Sequence, residues 1–283
     1  MKLRTIQRTA FVNVEHNAFT RPKLLSGLEG RIFHAQLRTC AGGVLSGLST
    51  ALQEAARCGL KATSMLQDGS EVLADDIVMD MAGGAAQMAE AEELLVGCLA
   101  KPSGIATAAS QAVRLADGLV AVVCGAWKKM PPLIKAPVRE AILHGGASFR
   151  ISSTPMIYLD KNYLRMFGSI GAALNAARRF PERFPVVQLR KEAGSMAAQT
   201  AEALEGGAKV LMIDTGDPAD IAPCLDELQR CGRRNDCRVA FAGGVELDAV
   251  DSLASTGIDI LCIGRAIVDA PLLDMRLDVE GVA

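Results

Sequence analysis

In the second half of the chain, short apolar runs recur and are mostly separated by stretches with helical spacing. The runs are Leu119–Cys124, Ala147–Ser152, Met156–Asp160, Val186–Arg190, Val210–Asp214, Val239–Ala242 and Ile260–Ile263. Between the later ones lie Ser169–Arg179, Met196–Leu204, Ala219–Cys231 and Leu247–Ser255, each with apolar residues at helical intervals. Runs that are apolar on both faces and linked by helices predict parallel strands covered by helices. Seven such runs in roughly 150 residues suit a closed or nearly closed α/β barrel better than an open doubly wound sheet.

The first half follows a different pattern. Phe33, Ala35 and Leu37 alternate with His34, Gln36 and Arg38, which predicts a strand over 31–38. Gly42-Gly43 breaks it. A helix over Leu45–Cys58 ends at Gly59, a suitable C-cap. A strand near Ala62–Leu66 precedes the turn Asp68-Gly69, and Val72–Met81 reads as further strand closed by Gly83-Gly84. An Ala/Glu/Leu-rich helix over Ala85–Ala100 is expected to stop at Lys101-Pro102, with Ser103 as N-cap of the next helix. Residues 1–30 are polar and irregular, with a turn signal at Arg21-Pro22. The expected organisation is an N-terminal α+β domain over 1–101 and a barrel over 102–271. The tail 272–283 has strand character and is read as returning to the first domain.

The chain has 283 residues, half of them apolar, with a net charge of −2. No global basic field invites nucleic acid or an anionic membrane, so any anion must be met by a local cluster. Met1-Lys2-Leu3-Arg4-Thr5 leads into no signal-type apolar run, and no stretch approaches the ~20 apolar residues of a membrane span. The expectation is a soluble, cytoplasmic protein. Its eight cysteines and three histidines form no common zinc pattern, so the cysteines read as reduced thiols, several in apolar runs.

Working residues in a parallel barrel project from the C-terminal ends of strands. Two such ends, Ala242-Gly243-Gly244 and Gly264-Arg265, carry glycines that let backbone N–H groups approach an anion, with Arg265 adding charge. A phosphate cup at the last two strand ends follows. Asp214 ends another strand and suits ribose hydroxyls or a hydrated magnesium ion; the bland alternative is a helix cap, a job for which Asp217 is better placed. Lys128-Lys129, Arg150, Asp160, Lys161 and Arg190 are further candidates that surface solvation would equally explain. The period of two lets only one of Asp160 and Lys161 enter the barrel mouth.

These residues resemble the quinolinate phosphoribosyltransferase (nicotinate-nucleotide pyrophosphorylase) family, including its ModD-like members. The similarity runs from about Gly30 to the C-terminus. It rests on Gly43-Val44-Leu45-Ser46-Gly47-Leu48, Gln67-Asp68-Gly69, Ser103-Gly104-Ile105-Ala106-Thr107, Met212-Ile213-Asp214, Ala242-Gly243-Gly244, Gly264 and Asp269-Ala270-Pro271-Leu272-Leu273-Asp274, in family order. The resemblance implies an open, seven-stranded parallel α/β barrel with an N-terminal α+β sandwich-like domain, and a homodimer. It also implies transfer of phosphoribose from phosphoribosyl pyrophosphate to quinolinate, with magnesium and loss of carbon dioxide. Carried over, Asp214 binds ribose or magnesium, Gly243, Gly244 and Gly264 hold the 5′-phosphate, Lys128 matches a family lysine, and Arg150 a family arginine.

The departures concern the acceptor. Trp127 stands in place of an arginine in Ala126-Trp127-Lys128-Lys129-Met130-Pro131-Pro132, and Phe149-Arg150 replaces a His-Arg pair. Asp160-Lys161-Asn162-Tyr163 replaces Lys-Asp-Asn-His, placing Asp160 and Asn162 beside the substrate. Ala91-Glu92-Glu93 lacks a family arginine, and Val187-Gln188-Leu189-Arg190 lacks an alternating Glu-Val-Glu. A site stripped of these cations is expected to reject a dicarboxylate, because unpaired buried charge is costly. Trp127 and Phe149 favour a flatter, more apolar aromatic or heterocyclic acceptor. The expected activity is therefore phosphoribosyl transfer to an acceptor other than quinolinate. The alternatives are other chemistry on a phosphorylated metabolite, or a non-catalytic ligand-binding homologue in a cofactor-assembly complex.

Overall fold

The computed structural model describes residues 21–282, so most of the irregular N-terminal stretch lies outside the described residues. The turn signal at Arg21-Pro22 falls instead in a helical segment, 21–25. Strand β1 (Ile32–Thr39) obeys the period of two, burying Ala35, Leu37 and Thr39. After β2 (Gly43–Val44), the helix Leu48–Arg57 buries Leu48, Ala51 and Ala55 on one face. Then come β3 (Lys61–Thr63), β4 (Glu71–Val72), which pairs with β2, and β5 (Ile77–Gly84). The glycine pair does not close β5. The strand runs through Gly83 and Gly84 directly into the next helix.

That helix corrects the sequence reading: it is a single element, Ala85–Ala116, with Pro102 inside it. Pro102 has no N–H for the carbonyl of Cys98 four residues earlier, the feature that normally breaks a helix. Here the freed carbonyl faces another chain segment. Gly47, at φ +93°, passes so close that a Cβ on it would sit 2.1 Å from the Cys98 oxygen. Ser103 is therefore not an N-cap. Its hydroxyl accepts from the Ser46 N–H (3.0 Å) and donates to the Ser46 carbonyl (3.2 Å). Thr107, one turn on, accepts from the Val44 N–H at 2.9 Å and donates to the Ser103 carbonyl at 2.7 Å. The Ser-Gly-Ile-Ala-Thr segment is thus a seam between β2 and the long helix.

The barrel strands are β6 (Ala121–Val123), β7 (Met156–Leu159), β8 (Phe184–Leu189), β9 (Val210–Asp214), β10 (Arg238–Ala242) and β11 (Ile260–Cys262). They form one parallel sheet in the order β6-β11-β10-β9-β8-β7. Alternation along each strand separates two packing layers. Val123, Val186, Val210, Met212, Ala240 and Ile260 fill the interior, with Met156, Tyr158, Phe184, Ala242 and Cys262 against them. Their neighbours Val122, Leu159, Val187, Leu211, Ile213, Val239, Phe241 and Leu261 face the helices.

The predicted seventh strand, Ala147–Ser152, shrinks to a single bridge between Ser148 and Val123. Ser148 donates to the Val122 carbonyl (2.9 Å) and its own carbonyl accepts from Cys124 (2.7 Å). Beyond it the chain turns away. The Ser148 hydroxyl bonds the Arg150 carbonyl (2.7 Å), Ser152 and Thr154 bond each other (2.8 Å), and Pro155 has no N–H to pair. The barrel accordingly stays open between β6 and β7. Finally β12 (Met275–Val282) pairs antiparallel with β1, from Thr39↔Met275 to Phe33↔Val282, completing a sheet of order β12-β1-β5-β3.

Candidate active site

The open side of the barrel is a cavity of about 490 Å³ at the C-terminal strand ends. The loop 149–155 forms one wall, and Trp127 and Lys128, just after β6, form part of another. Val123, Tyr158, Met212, Asp214, Ala242 and Cys262 reach it from the strands. All six project inward, as the period of two requires.

Asp214 is half-buried at the end of β9. Its Oδ2 accepts from the Gln188 amide and lies 3.4 Å from Nη1 of Arg190. Gln188 is buried, and its other end accepts from the Lys161 N–H at 2.6 Å, so the amide is fixed at both ends. Arg190 is also paired with Glu192 at 3.2 Å. One carboxylate oxygen of Asp214 remains without a protein partner among the described residues. Asp217, as the sequence suggests, takes the capping role and accepts from the Ala219 N–H at 3.0 Å.

The aromatic wall is internally bonded. Trp127 and Phe149 pack edge to face with centroids 6.1 Å apart, and Trp127 Nε1–H donates to the Phe149 carbonyl at 2.9 Å. The Arg139 guanidinium lies 5.0 Å from the Trp127 ring and Arg150 5.4 Å from the Phe149 ring. Lys128 Nζ lies 5.3 Å from the Tyr158 ring centroid. Burial pushes the Tyr158 phenol pKa well up, assisted by Cys262, Asp214 and Asp160 and opposed by Arg190. Burial, then the Asp214 charge and Cys124, push the Cys262 thiol up to about 12, with Lys128 opposing. Both groups are neutral donors at neutral pH.

Of the residues singled out in the sequence, Trp127, Lys128, Arg150, Asp214 and Ala242 meet in this cavity. Lys129 is exposed and does not line it. Asp160 accepts from the N–H groups of Asn162 (2.9 Å) and Tyr163 (3.1 Å), capping the helix Lys161–Phe167, and Asn162 is exposed on that helix. Lys161 faces a second cavity, shared with Arg165, Gln188, Arg190 and Glu202. Gly243 (φ +117°) and Gly244 (φ +82°) form the turn after β10. Gly243 packs so tightly on Gly216 that a Cβ would lie 2.3 Å from its nitrogen, whereas Gly244 is open. Gly264 precedes the short helix Arg265–Val268. Arg265 pairs with Glu246 at 2.8 Å and lines a separate shallow cavity with Asp248 and Asp269.

Sequence reasoning passed over Tyr158, Cys262, Met212 and Arg183 as lining residues, and Gln188 as the clamp on Asp214. The first three were accessible: counting by twos back from Asp214 gives Met212, and the same parity on β7 and β11 gives Tyr158 and Cys262. Arg183 comes from the loop before β8 and carries no such signal. Among the described residues, no group of three or more Cys, His, Asp and Glu side chains is arranged to hold a metal ion. All eight cysteines are unpaired, and Cys124, Cys224 and Cys237 are buried. No described helix is long and apolar enough to cross a membrane.

Comparison with known proteins adds to this geometry. The family model for the quinolinate phosphoribosyl transferase N-terminal domain matches residues 7–103, and that for the C-terminal domain matches residues 105–278. A probable nicotinate-nucleotide pyrophosphorylase (carboxylating) of Archaeoglobus fulgidus is 29% identical over 215 residues, covering 75% of this chain and 81% of the relative. The Rattus norvegicus nicotinate-nucleotide pyrophosphorylase (carboxylating) is 29% identical over 222 residues, covering 77% and 72%. The crystal structure of nicotinate-nucleotide pyrophosphorylase from Ehrlichia chaffeensis superposes with a TM-score of 0.79 at 19% identity, over 97% of this chain and 100% of that one. NadC from Streptococcus pyogenes gives 0.77 at 19% identity, over 91% and 90%.

Proposed function

The chain belongs to the quinolinate phosphoribosyl transferase family of pentosyltransferases, and we propose that it moves phosphoribose from phosphoribosyl pyrophosphate to a heterocyclic or aromatic acceptor other than quinolinate. The observation that carries this is the lining of the main cavity. A clamped carboxylate, Asp214, lies inside, and exposed Lys128, Arg150 and Arg183 contribute the cations.

In such a transfer the bond between the anomeric carbon and the pyrophosphate oxygen breaks, and its electron pair leaves with pyrophosphate. The lone pair of an acceptor ring nitrogen forms the new bond. Positive charge grows on the anomeric carbon, where the fixed Asp214 carboxylate stabilises it. Arg150 and Arg183 suit the phosphates of the leaving group, and the turn at Gly243-Gly244 with Gly264 suits the 5′-phosphate. Magnesium binds through one or two carboxylates plus substrate phosphates. One free Asp214 oxygen fits an ion carried in on the pyrophosphate, and the bound ion would supply charge neutralisation there.

The acceptor reading rests on the half-buried lining. Tyr158 and Cys262 offer a phenol and a thiol, and Trp127 has already used its N–H on Phe149. Lys128, seated over the Tyr158 ring, offers one cation beside these groups, where a dicarboxylate would need two. The relatives named above act as nicotinate-nucleotide pyrophosphorylases, so quinolinate is the natural competitor. Phosphoribosyl pyrophosphate with magnesium should raise the melting temperature, because a ligand of the native state stabilises it. Release of carbon dioxide from quinolinate at an ordinary enzymatic rate would overturn the acceptor assignment. The proposal extends, on the family resemblance, to a homodimer; a monomeric mass in sedimentation would remove that part alone.

A further inference from the structure

Tyr158 is the inward-facing side chain of β7 with a polar tip, packed against the apolar interior residues Val123, Val186, Met212, Ala240 and Ile260 and sharing the cavity lining with Asp214 and Cys262. Its ring seats the Lys128 ammonium, and its side chain lines the same cavity as Asp214. Among the described residues its hydroxyl makes no hydrogen bond. Tyr158 is half-buried, and a phenol whose tip opens without a protein partner onto a cavity of about 490 Å³ is placed for a ligand atom. Burial and the facing groups Cys262, Asp214 and Asp160 hold the proton on the oxygen, against Arg190. The hydroxyl therefore keeps the proton it can donate to a ligand acceptor. Asp214, on the neighbouring lining, repels a negative group brought close to it.

We propose that Tyr158 is the specificity-determining residue for the acceptor, selecting a heterocycle that presents a ring carbonyl to the phenol and a single negative charge to Lys128, with the ring N–H proton passing to the departing pyrophosphate as the new bond forms. The inference rests on the transferase reading above and narrows its substrate class. A second carboxylate in place of the carbonyl would meet the phenol at the cost of its own desolvation beside Asp214, with Arg150 and Arg183 given over to the pyrophosphate. A site that donates to a carbonyl discriminates against analogues lacking it, because the donor is then left unpaired.

The experiment uses the full chain and two ring probes: the pyridone analogue of nicotinate, with one carbonyl and one carboxylate, and quinolinate, with two carboxylates. Trp127 is the chain's one tryptophan and lines the cavity, so its fluorescence reports binding directly. The wild-type protein is expected to bind the pyridone at least about tenfold more tightly than quinolinate, the scale of one well-placed hydrogen bond plus an avoided unpaired charge. Tyr158→Phe keeps the ring under Lys128 and should bring the ratio close to one by weakening the pyridone alone. Tyr158→Leu also removes the seat of Lys128 and should weaken both probes. An unchanged ratio in Tyr158→Phe, equal binding in the wild type, or no binding of either probe would overturn the assignment. A failure of the transferase reading looks different. Phosphoribosyl pyrophosphate would then give no stabilisation and no pyrophosphate release, while the probe preference and its loss in Tyr158→Phe persist.

Discussion

Asp214 is held by two partners of different kinds, the neutral amide of Gln188 and the cation of Arg190. Replacing Asp214 with Asn keeps the shape and removes the charge. Under the proposed chemistry turnover should fall by about 10²–10³, the usual consequence of deleting one preorganised stabiliser of transition-state charge, while the unfolding midpoint stays nearly unchanged. Steady-state kinetics beside a urea melt separate the two effects, and retained turnover would remove Asp214 from the reaction. Tyr158 gives a second residue-scale prediction. Its folded pKa lies above its unfolded value near 10. Below pH 10 the phenol is protonated in both states and its contribution to stability is fully present. As pH rises past about 10, the unfolded chain loses its proton first, and stability declines. In a Tyr163→Phe background only Tyr158 reports by ultraviolet difference titration. Half-ionisation at or below about pH 10 would contradict the burial described. The sequence made Asp214 legible because a carboxylate ending an apolar run has few reasons to be there. Asp160 was equivocal for the opposite reason: an Asp before a helix satisfies backbone N–H groups whether or not a ligand exists.

At the scale of elements, the long helix Ala85–Ala116 shows how a local rule is overridden by packing. Proline in a helix interior costs about 3 kcal/mol or more when isolated. Here Gly47 and the hydroxyls of Ser103 and Thr107 knit the same stretch to β2 and the turn after it. Nothing near Pro102 announces those partners, since the Ser103 and Thr107 contacts reach 57 and 63 positions away in sequence, so the local pattern reads as two helices. Gly47→Ala should destabilise by roughly 2–4 kcal/mol, combining left-handed backbone strain with overlap on the Cys98 carbonyl. Ser103→Ala should cost about 1–3 kcal/mol by leaving the buried Ser46 N–H without an acceptor. Urea denaturation measures both, and a Gly47→Ala protein as stable as the parent would contradict the contact. The strands β8 to β11 were legible because runs apolar on both faces have few other homes in a globular chain. The run Ala147–Ser152 looked alike, yet the Ser152-Ser153-Thr154-Pro155 stretch supplies side-chain turns and a missing N–H, and the barrel opens there.

One helix joins the N-terminal core to the layer between barrel strands and helices. Met88, Ala91, Leu95 and Leu99 belong to the N-terminal core, while Ile105, Ala108, Ala109 and Ala112 belong to the barrel core. The chain then crosses back. Lys101 Nζ bonds the Ala270 carbonyl at 2.7 Å, Leu273 N–H bonds the Ala100 carbonyl at 3.0 Å, and β12 covers the edge of β1. A Cβ on Gly104 would sit 2.0 Å from the Pro271 oxygen, so tail and helix meet backbone to backbone. An element shared by both cores cannot melt in one and persist in the other without exposing apolar surface, so the units should unfold together. Trp127 fluorescence follows the barrel, and far-ultraviolet circular dichroism follows both units; their urea transitions should coincide. Removing residues 275–283 deletes the Met275 side chain from the N-terminal core and bares β1. The truncated chain should lose midpoint by both probes equally, although Trp127 lies in the other unit. If its fluorescence transition stays in place while the circular dichroism transition moves, the helix bridges the cores without coupling them, and the barrel stands by itself.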